Sequence, residues 1–186
     1  YEDTFIMGDF DDNTTYGSTA ALFLSDYGLV ECFPLPENRR RWVVSTDYFI
    51  PKPTPEQIVE FVKQRTNYDI SKQKNYMVSG YHVQGFVAEK YFIERIIIAG
   101  DAAHVCSPLG GQGMNMGWLD ADALAKALYN TIKLGKPTNH ELLKYERDQK
   151  RKAKAVVHRA EVNMWFGRKP NSKLHLWVSR FKIFTI

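Results

Sequence analysis

The sequence predicts a mixed α+β or α/β fold, with an antiparallel-rich sheet first, then a strand, a glycine loop and a helix, and finally C-terminal helices. Short apolar runs separated by turn residues fill the first half of the 186 residues, as in antiparallel sheets. In the second half, apolar residues recur at intervals of three and four, which is the period of an amphipathic helix. We therefore divide the chain into residues 1–94, a sheet with one helix, and residues 95–186.

The apolar runs of the first region lie at residues 20–24, 29–33 and 42–46. Turn residues separate them, so they predict successive antiparallel strands. Three arginines at 39–41 follow one of these turns. We interpret them as the edge of a hairpin that charge keeps soluble, rather than as a binding patch.

Capping residues mark the first helix. Thr54 and Gln57 have the spacing of a capping box, and Pro55 suits the first helical position. Further along, the β-branched run at 96–99 predicts a strand that is buried on both faces. A helix is expected after the glycine loop that follows, and a long charged helix from about residue 138 to 165.

Composition and charge restrict the class of protein. Hydrophobic residues make up 44% of the chain and charged residues 25%, which excludes a disordered or collagen-like chain. No apolar run is long enough to span a bilayer, and the two cysteines have no metal-ligand spacing. We expect a cytoplasmic protein without a bound metal. Residues 133–186 hold 14 Lys/Arg against 4 Asp/Glu, which we interpret as the solvated face of surface helices and not as a nucleic-acid site.

The residues that carry chemistry lie between positions 100 and 117. Asp101 directly follows the predicted strand, where ligands of open α/β sheets bind, so its carboxylate can accept hydrogen bonds from a polyol or ribose. Gly110, Gly111 and Gly113 free the backbone for close approach to a ligand. The helix that begins near Met114 then points its unpaired amides toward the same space, where they attract negative charge.

Other interpretations of these residues compete with ligand binding. Asp101 could cap a turn, and His104 could act as a base or simply pack inside the loop, which we favour. Cys106 is interpreted as a small loop filler. Asn115 and Asp120 could be helix residues that the dipole favours regardless of any ligand. A dinucleotide fingerprint fails because Met116 stands where glycine is required, and no Walker A lysine follows the loop.

The stretch Gly100-Asp101-Ala102-Ala103-His104, then Pro108 and Gly111-Gln112-Gly113-Met114-Asn115, resembles the second flavin motif of the class A flavoprotein monooxygenases. Asp120-Ala121 and Leu124-Ala125 extend the resemblance. The family includes para-hydroxybenzoate hydroxylase and the ubiquinone-biosynthesis hydroxylases. By that resemblance, residues 1–94 belong to a substrate domain, and residues 95–186 hold the FAD-contacting segment and basic helices.

The resemblance also implies a cofactor site and a reaction. Asp101 would bind the ribityl chain of FAD, Pro108 would border the flavin ring, and the amides of residues 111–115 would face its pyrimidine edge. The expected set of FAD-binding residues is Gly100, Asp101, Pro108, Gly110, Gly111, Gln112, Gly113, Met114 and Asn115. In the family, NAD(P)H reduces the flavin, oxygen forms a C4a-hydroperoxide, and a small, usually aromatic substrate is hydroxylated. We assign no catalytic or substrate residue from the sequence.

The sequence departs from the family in lacking the N-terminal G-x-G-x-x-G segment that grips the ADP half of FAD. We expect a C-terminal portion that alone binds FAD weakly or not at all and is inactive. Two alternatives stay open: a related FAD-dependent reductase or dehydrogenase, and a non-catalytic interaction module that acts through the basic helices.

Overall fold

The computed structural model describes residues 3–107 and 111–168, which form two compact units. The first unit comprises residues 3–83 and 165–168, and the second comprises residues 84–164. The predicted boundary at 94/95 stays a prediction. The predicted residues Pro108 and Gly110 and the end of the basic region lie outside the described residues.

The first unit is built on one antiparallel sheet with strand order β2-β3-β4-β1-β5. Its strands are β1 (Thr4–Asp11), β2 (Ala21–Ser25), β3 (Gly28–Leu35), β4 (Arg39–Thr46) and β5 (Asn75–His82). These strands confirm the runs predicted at 20–24, 29–33 and 42–46. The register places Ile6 opposite Val44 and Val30 opposite Val44 from the other side, so alternate residues of neighbouring strands share one apolar face.

Helix α1 (Pro55–Thr66) covers that apolar face. Its capping box is confirmed: Thr54 Oγ1 accepts from the Gln57 amide, and Gln57 Oε1 accepts from the Thr54 amide at 2.9 Å. Ile58 and Val62, one turn apart, are completely buried against the sheet. The helix ends at Asn67, whose φ of 63° is the left-handed conformation typical of a C-terminal cap.

The interpretation of the arginines at 39–41 as a hairpin edge is wrong. These residues lie in β4, which is flanked by β3 and β1, so they are not on a sheet edge. Arg40 is completely buried, and Arg41 forms a two-pronged ion pair with Asp9 on β1. Arg40 and Arg41 each have an acidic partner, Asp12 and Asp9, and this pairing makes arginine tolerable at an interior position.

The described residues of the second unit form four short strands and two long helices. The strands are β6 (Phe86–Val87), β7 (Phe92–Ile93), β8 (Ile96–Ile97) and β9 (His104–Val105), paired as β6 with β9 and β7 with β8. A single 3-10 turn, Gly100–Ala102, precedes β9. Helices α2 (Gly113–Ile132) and α3 (Thr138–Gly167) follow, and α3 ends within the first unit.

The expectation of a strand buried on both faces at 96–99 is wrong for the described residues. Within this run only Ile96 and Ile97 form a strand, they pair with β7 alone, and Ile96 is 72% exposed. A β-branched run is buried only where neighbouring strands and helices cover it, and propensity cannot supply those neighbours.

Helix α3 is anchored to the segment before β7. Glu146 Oε2 accepts from the Tyr91 amide at 2.7 Å, and Lys150 Nζ donates to the carbonyl of Glu89. The Tyr145 hydroxyl donates to the Ile98 carbonyl at 3.0 Å. A small apolar core forms around Tyr91, Ala103, Ala127, Leu142 and Tyr145. No helix among the described residues is long and apolar enough to cross a membrane.

Candidate cofactor site at the start of helix α2

The site begins with a sharp turn. Gly100 has φ +60°, a left-handed conformation that glycine adopts without strain, and the 3-10 turn then presents Asp101. Asp101 is exposed, and the described residues supply no hydrogen bond or ion pair to its carboxylate. The carboxylate is therefore free to accept hydrogen bonds from a ligand.

The N-terminus of helix α2 lies in the same region. The helix begins at Gly113, one residue before the predicted start, and Gln112 at the cap position forms no side-chain bond to the first turn. Uncapped amides of a 20-residue helix favour a ligand with negative charge or acceptor oxygens. Gly111 has φ +63°, so the backbone of the loop turns into the helix with no side chain in the way.

The two features meet in an open pocket of about 540 Å³. Its lining residues are Asp101, Val105, Cys106, Gly111, Gly113, Met114, Gly117 and Trp118. Asp101 supplies a carboxylate to this lining, while Met114 and Trp118 supply apolar surface one helical turn apart. Such a lining suits a ligand that has both hydroxyl groups and a flat apolar body.

Part of the predicted set lines this pocket. Asp101, Gly111, Gly113 and Met114 are in its wall. Gly100 immediately precedes Asp101 in the chain and is not itself a lining residue. Gln112 and Asn115 are exposed at the start of α2 and do not line the pocket.

The sequence interpretation missed four lining residues. Val105, Cys106, Gly117 and Trp118 belong to the pocket wall as well. The helical period could have identified two of them, because Gly117 follows Gly113 by four residues and Trp118 follows Met114 by four.

Cys106 is not an activated thiol. Burial and the neighbouring Asp101 carboxylate both raise the pKa of the Cys106 thiol, so the thiol stays protonated at neutral pH. Its contribution to the site is therefore one of shape rather than nucleophilic chemistry.

His104 has a structural partner. Its Nε2 lies 2.7 Å from Asp120 Oδ2, and both side chains are buried. A packing role for His104 was favoured from the sequence, and the geometry agrees, since its carboxylate partner is Asp120 rather than Asp101. Asp120 is not a first-turn dipole residue, because it lies in the third turn of α2 and faces inward.

Tyr91 packs beside this pair, with its ring 6.3 Å from that of His104. Burial and the charges of Asp120 and Glu146 raise the pKa of Tyr91 to about 12, so its hydroxyl is protonated at neutral pH. Tyr91 therefore adds no ionised oxygen to the interior of the unit.

The comparisons with known proteins support a flavoprotein. Residues 16–160 match the family model described as "FAD binding domain". The chain is 31% identical over 138 residues to the 3-(3-hydroxy-phenyl)propionate/3-hydroxycinnamic acid hydroxylase 2 of Burkholderia vietnamiensis, covering 70% of this chain and 24% of that protein. It is 45% identical over 58 residues to the para-nitrophenol 4-monooxygenase of Pseudomonas sp. strain WBC-3, covering 31% of this chain and 14% of that protein.

A solved structure shares the fold. The p-nitrophenol 4-monooxygenase PnpA of Pseudomonas putida DLL-E4 superposes with a TM-score of 0.78 at 21% identity, covering 96% of this chain and 47% of that one. The chain thus spans about half of that structure and no more than a quarter of the two curated relatives. Since the family model matches more than half of the chain, this protein belongs to the FAD binding domain family.

Proposed function

We propose that this chain forms the substrate-sheet and flavin-contacting part of an FAD-dependent monooxygenase that hydroxylates a small aromatic molecule. The observation that carries the proposal is the shared pocket, where the Asp101 carboxylate and the uncapped start of α2 line one cavity. The relatives whose names specify hydroxylases or monooxygenases of phenolic compounds support the aromatic substrate class.

The residues present fit the cofactor. Asp101 would accept hydrogen bonds from ribityl hydroxyls, and the first amides of α2 would donate to the pyrimidine edge of the isoalloxazine. Gly111 and Gly113 leave the backbone open to the ring, because among the described residues a β-carbon at Gly111 would meet no atom within 4 Å and one at Gly113 would meet only the Cys106 sulfur at 4.0 Å. Gly100, Gln112 and Asn115 would complete the contacts from the two ends of the loop, together with Pro108 and Gly110.

When bound, FAD would supply the electron transfer from NAD(P)H and the activation of oxygen. This chain would hold the ring in place and stabilise negative charge on it through fixed amide dipoles that need no rearrangement. The protonated Cys106 thiol and the apolar Trp118 would exclude water from the ring face. The two free cysteines, Cys32 and Cys106, favour a reducing compartment, and we place the enzyme in the cytoplasm.

Flavin titration of the full-length natural protein tests the site. Asp101→Ala should weaken FAD binding at least tenfold in a fluorescence-quenching titration, because a hydrogen bond to a charged group contributes about 1.5–3 kcal/mol. Asp122→Ala is the matched control, since Asp122 is an exposed α2 carboxylate paired only with Lys126 among the described residues. Equal affinities of both variants and the wild type would remove the assignment.

The reaction is tested with para-nitrophenol and 3-hydroxycinnamic acid as probes. A monooxygenase consumes NAD(P)H and oxygen in step with hydroxylated product. Reduction of a flavin without product hydroxylation would favour the reductase alternative. Salt-sensitive binding to anionic vesicles or nucleic acid in a protein that binds no FAD would favour the interaction module.

A further inference from the structure

A buried carboxylate ties the Asp101 turn to helix α2. Asp120 is 2% exposed, and its Oδ2 accepts from the Gly100 backbone amide at 3.0 Å. The same oxygen lies 2.7 Å from His104 Nε2, so an ionised Asp120 receives a second bond from the imidazole N–H. One oxygen of one helical residue thus holds both ends of the segment that carries Asp101.

The histidine is an unusual choice for mere packing. His104 is 1% exposed, and its Nδ1 has no hydrogen-bond partner among the described residues. An unpaired buried nitrogen costs roughly 1–3 kcal/mol, which an apolar ring of similar size would avoid. The presence of a histidine at this position is therefore explained by the hydrogen bond that its Nε2 donates to Asp120.

The two segments are also in direct contact at two glycines. A β-carbon built on Gly117 would lie 3.6 Å from the Gly100 α-carbon, so the backbone of α2 approaches the turn closely. Gly117 and Asp101 both line the pocket, and Asp120 lies less than one helical turn beyond Gly117. The bonds of Asp120 therefore join the turn that carries Asp101 to helix α2, and both of these elements line the pocket.

We propose that Asp120, held by His104, is a positioning residue for the cofactor, setting the Asp101 carboxylate and the start of α2 at the separation that the flavin requires. This inference rests on the proposed function, because it concerns the same pocket. Asp120 would not touch the cofactor; it would act through the Gly100 amide. The proposal thus assigns a supporting role behind the predicted FAD-binding set to one residue of β9 and one residue from the interior of α2.

The test compares variants that keep or remove each bond in the full-length natural protein. Asp120→Ala removes both bonds, whereas Asp120→Asn keeps an acceptor for the Gly100 amide. His104→Ala removes the donor, whereas His104→Gln keeps an N–H near the position of Nε2. Asp122→Ala is the control for a charge lost from the same helix. For each variant we measure the FAD dissociation constant, the absorption spectrum and midpoint potential of bound flavin, and the unfolding midpoint without FAD.

The alanine variants should raise the FAD dissociation constant about tenfold or more, as loss of supporting residues behind a binding site does. They should also shift the spectrum and potential of the flavin, because the amides of α2 would no longer face the ring as before. Asp120→Asn and His104→Gln should restore the affinity to within about threefold of the wild type. Hydrogen exchange at the Gly100 amide should accelerate in Asp120→Ala even without FAD.

The outcomes separate the inference from the proposed function. Loss of FAD binding in Asp101→Ala, with unchanged affinity, spectrum and potential in folded Asp120→Ala, would overturn the positioning role and leave the cofactor site intact. If Asp120→Ala does not fold, Asp120→Asn and His104→Gln provide the test. The positioning role would also be overturned if these two variants fold but bind FAD as weakly as His104→Ala. A wild-type protein that binds no FAD would instead refute the proposed function itself.

Discussion

Arg40 Nε donates to Asp12 Oδ2 at 2.9 Å while the Arg40 side chain is completely buried in the sheet. Its two terminal nitrogens donate to the carbonyls of Thr19 and Gly17 at 3.0 and 2.7 Å. The guanidinium thus fastens the connection between β1 and β2 to the central strand β4. A charge at this depth is stable because one carboxylate and two carbonyl oxygens accept its hydrogen bonds.

Replacing Arg40 should therefore unfold the first unit readily. Arg40→Met would leave Asp12 Oδ2 and two carbonyl oxygens without the hydrogen bonds that Arg40 donates, and we expect a loss of about 3 kcal/mol in the free energy of unfolding. Arg39→Met is the control, because Arg39 pairs with the exposed Glu37 and lies over the Tyr76 ring, contacts that contribute less than about 1 kcal/mol. Urea denaturation measures both, and similar losses in the two variants would contradict this account.

Glu31 should make the protein less stable as the pH rises, whereas an acid in an ion pair makes a protein more stable as the pH rises. Burial raises the pKa of Glu31 to about 7, and the described residues give its carboxyl no hydrogen bond or ion pair. The folded protein then keeps a proton that the unfolded chain has released above about pH 4.5, so stability falls as the pH rises from about 4.5 to about 7. The total loss is up to about 3 kcal/mol.

Glu31→Gln should remove this dependence, because the amide mimics the neutral acid. The variant should match the wild type near pH 4.5 and exceed it in stability at pH 8. Glu60→Gln, an exposed change on α1, should leave the wild-type slope in place. Denaturation midpoints at four pH values would show this, and a slope that survives in Glu31→Gln would refute the assignment.

Local chemistry explains which features the sequence could predict. The capping box at Thr54, the three apolar runs of the sheet and the start of α2 each depend on residues adjacent in sequence, and the structure confirms them. The partners of Arg40 lie 21 to 28 residues away, so a charge run looked like a surface edge. Asp120 and His104 are likewise brought together by tertiary packing alone, 16 residues apart. Among the pocket residues, Gly117 and Trp118 repeat the helical period of Gly113 and Met114, a pattern that sequence inspection could have used.

Gly80 in β5 should tolerate no side chain. A β-carbon there would overlap the backbone carbonyl oxygen of Ile50, which cannot move without its chain segment. Gly80→Ala should cost about 3 kcal/mol or more of unfolding free energy. Gly8→Ala in the neighbouring β1 should cost less, since its β-carbon would first meet the side chains of Ile58 and Phe10, at 2.7 and 2.8 Å, and a backbone oxygen only at 3.1 Å. Thermal unfolding of the two variants compares their stabilities. If Gly80→Ala is the more stable of the two, the backbone at Ile50 can move to accommodate the added methyl group.

Gly100 and Gly117 lie close to each other, and replacement by alanine should change protein stability in opposite directions at the two positions. At Gly100, φ is +60°, so alanine is forced into a left-handed conformation that costs about 1 kcal/mol. At Gly117 the added methyl would lie at an ordinary contact distance of 3.6 Å, and alanine is favoured over glycine within a helix by up to about 1 kcal/mol. Gly100→Ala should therefore lower the unfolding midpoint, whereas Gly117→Ala should raise it.

Flavin affinity should not follow that order of stability. A methyl added at Gly117 would lie 3.6 Å from the Gly100 α-carbon, so the stabilised Gly117→Ala variant would crowd the turn that presents Asp101, and we expect its FAD dissociation constant to rise about threefold or more. A calorimetric or fluorescence titration beside the unfolding measurement separates the two effects. A Gly117→Ala protein that is both more stable and binds FAD as tightly as the wild type would contradict this prediction, because it would show that the Gly100 turn accepts the methyl without moving the Asp101 carboxylate.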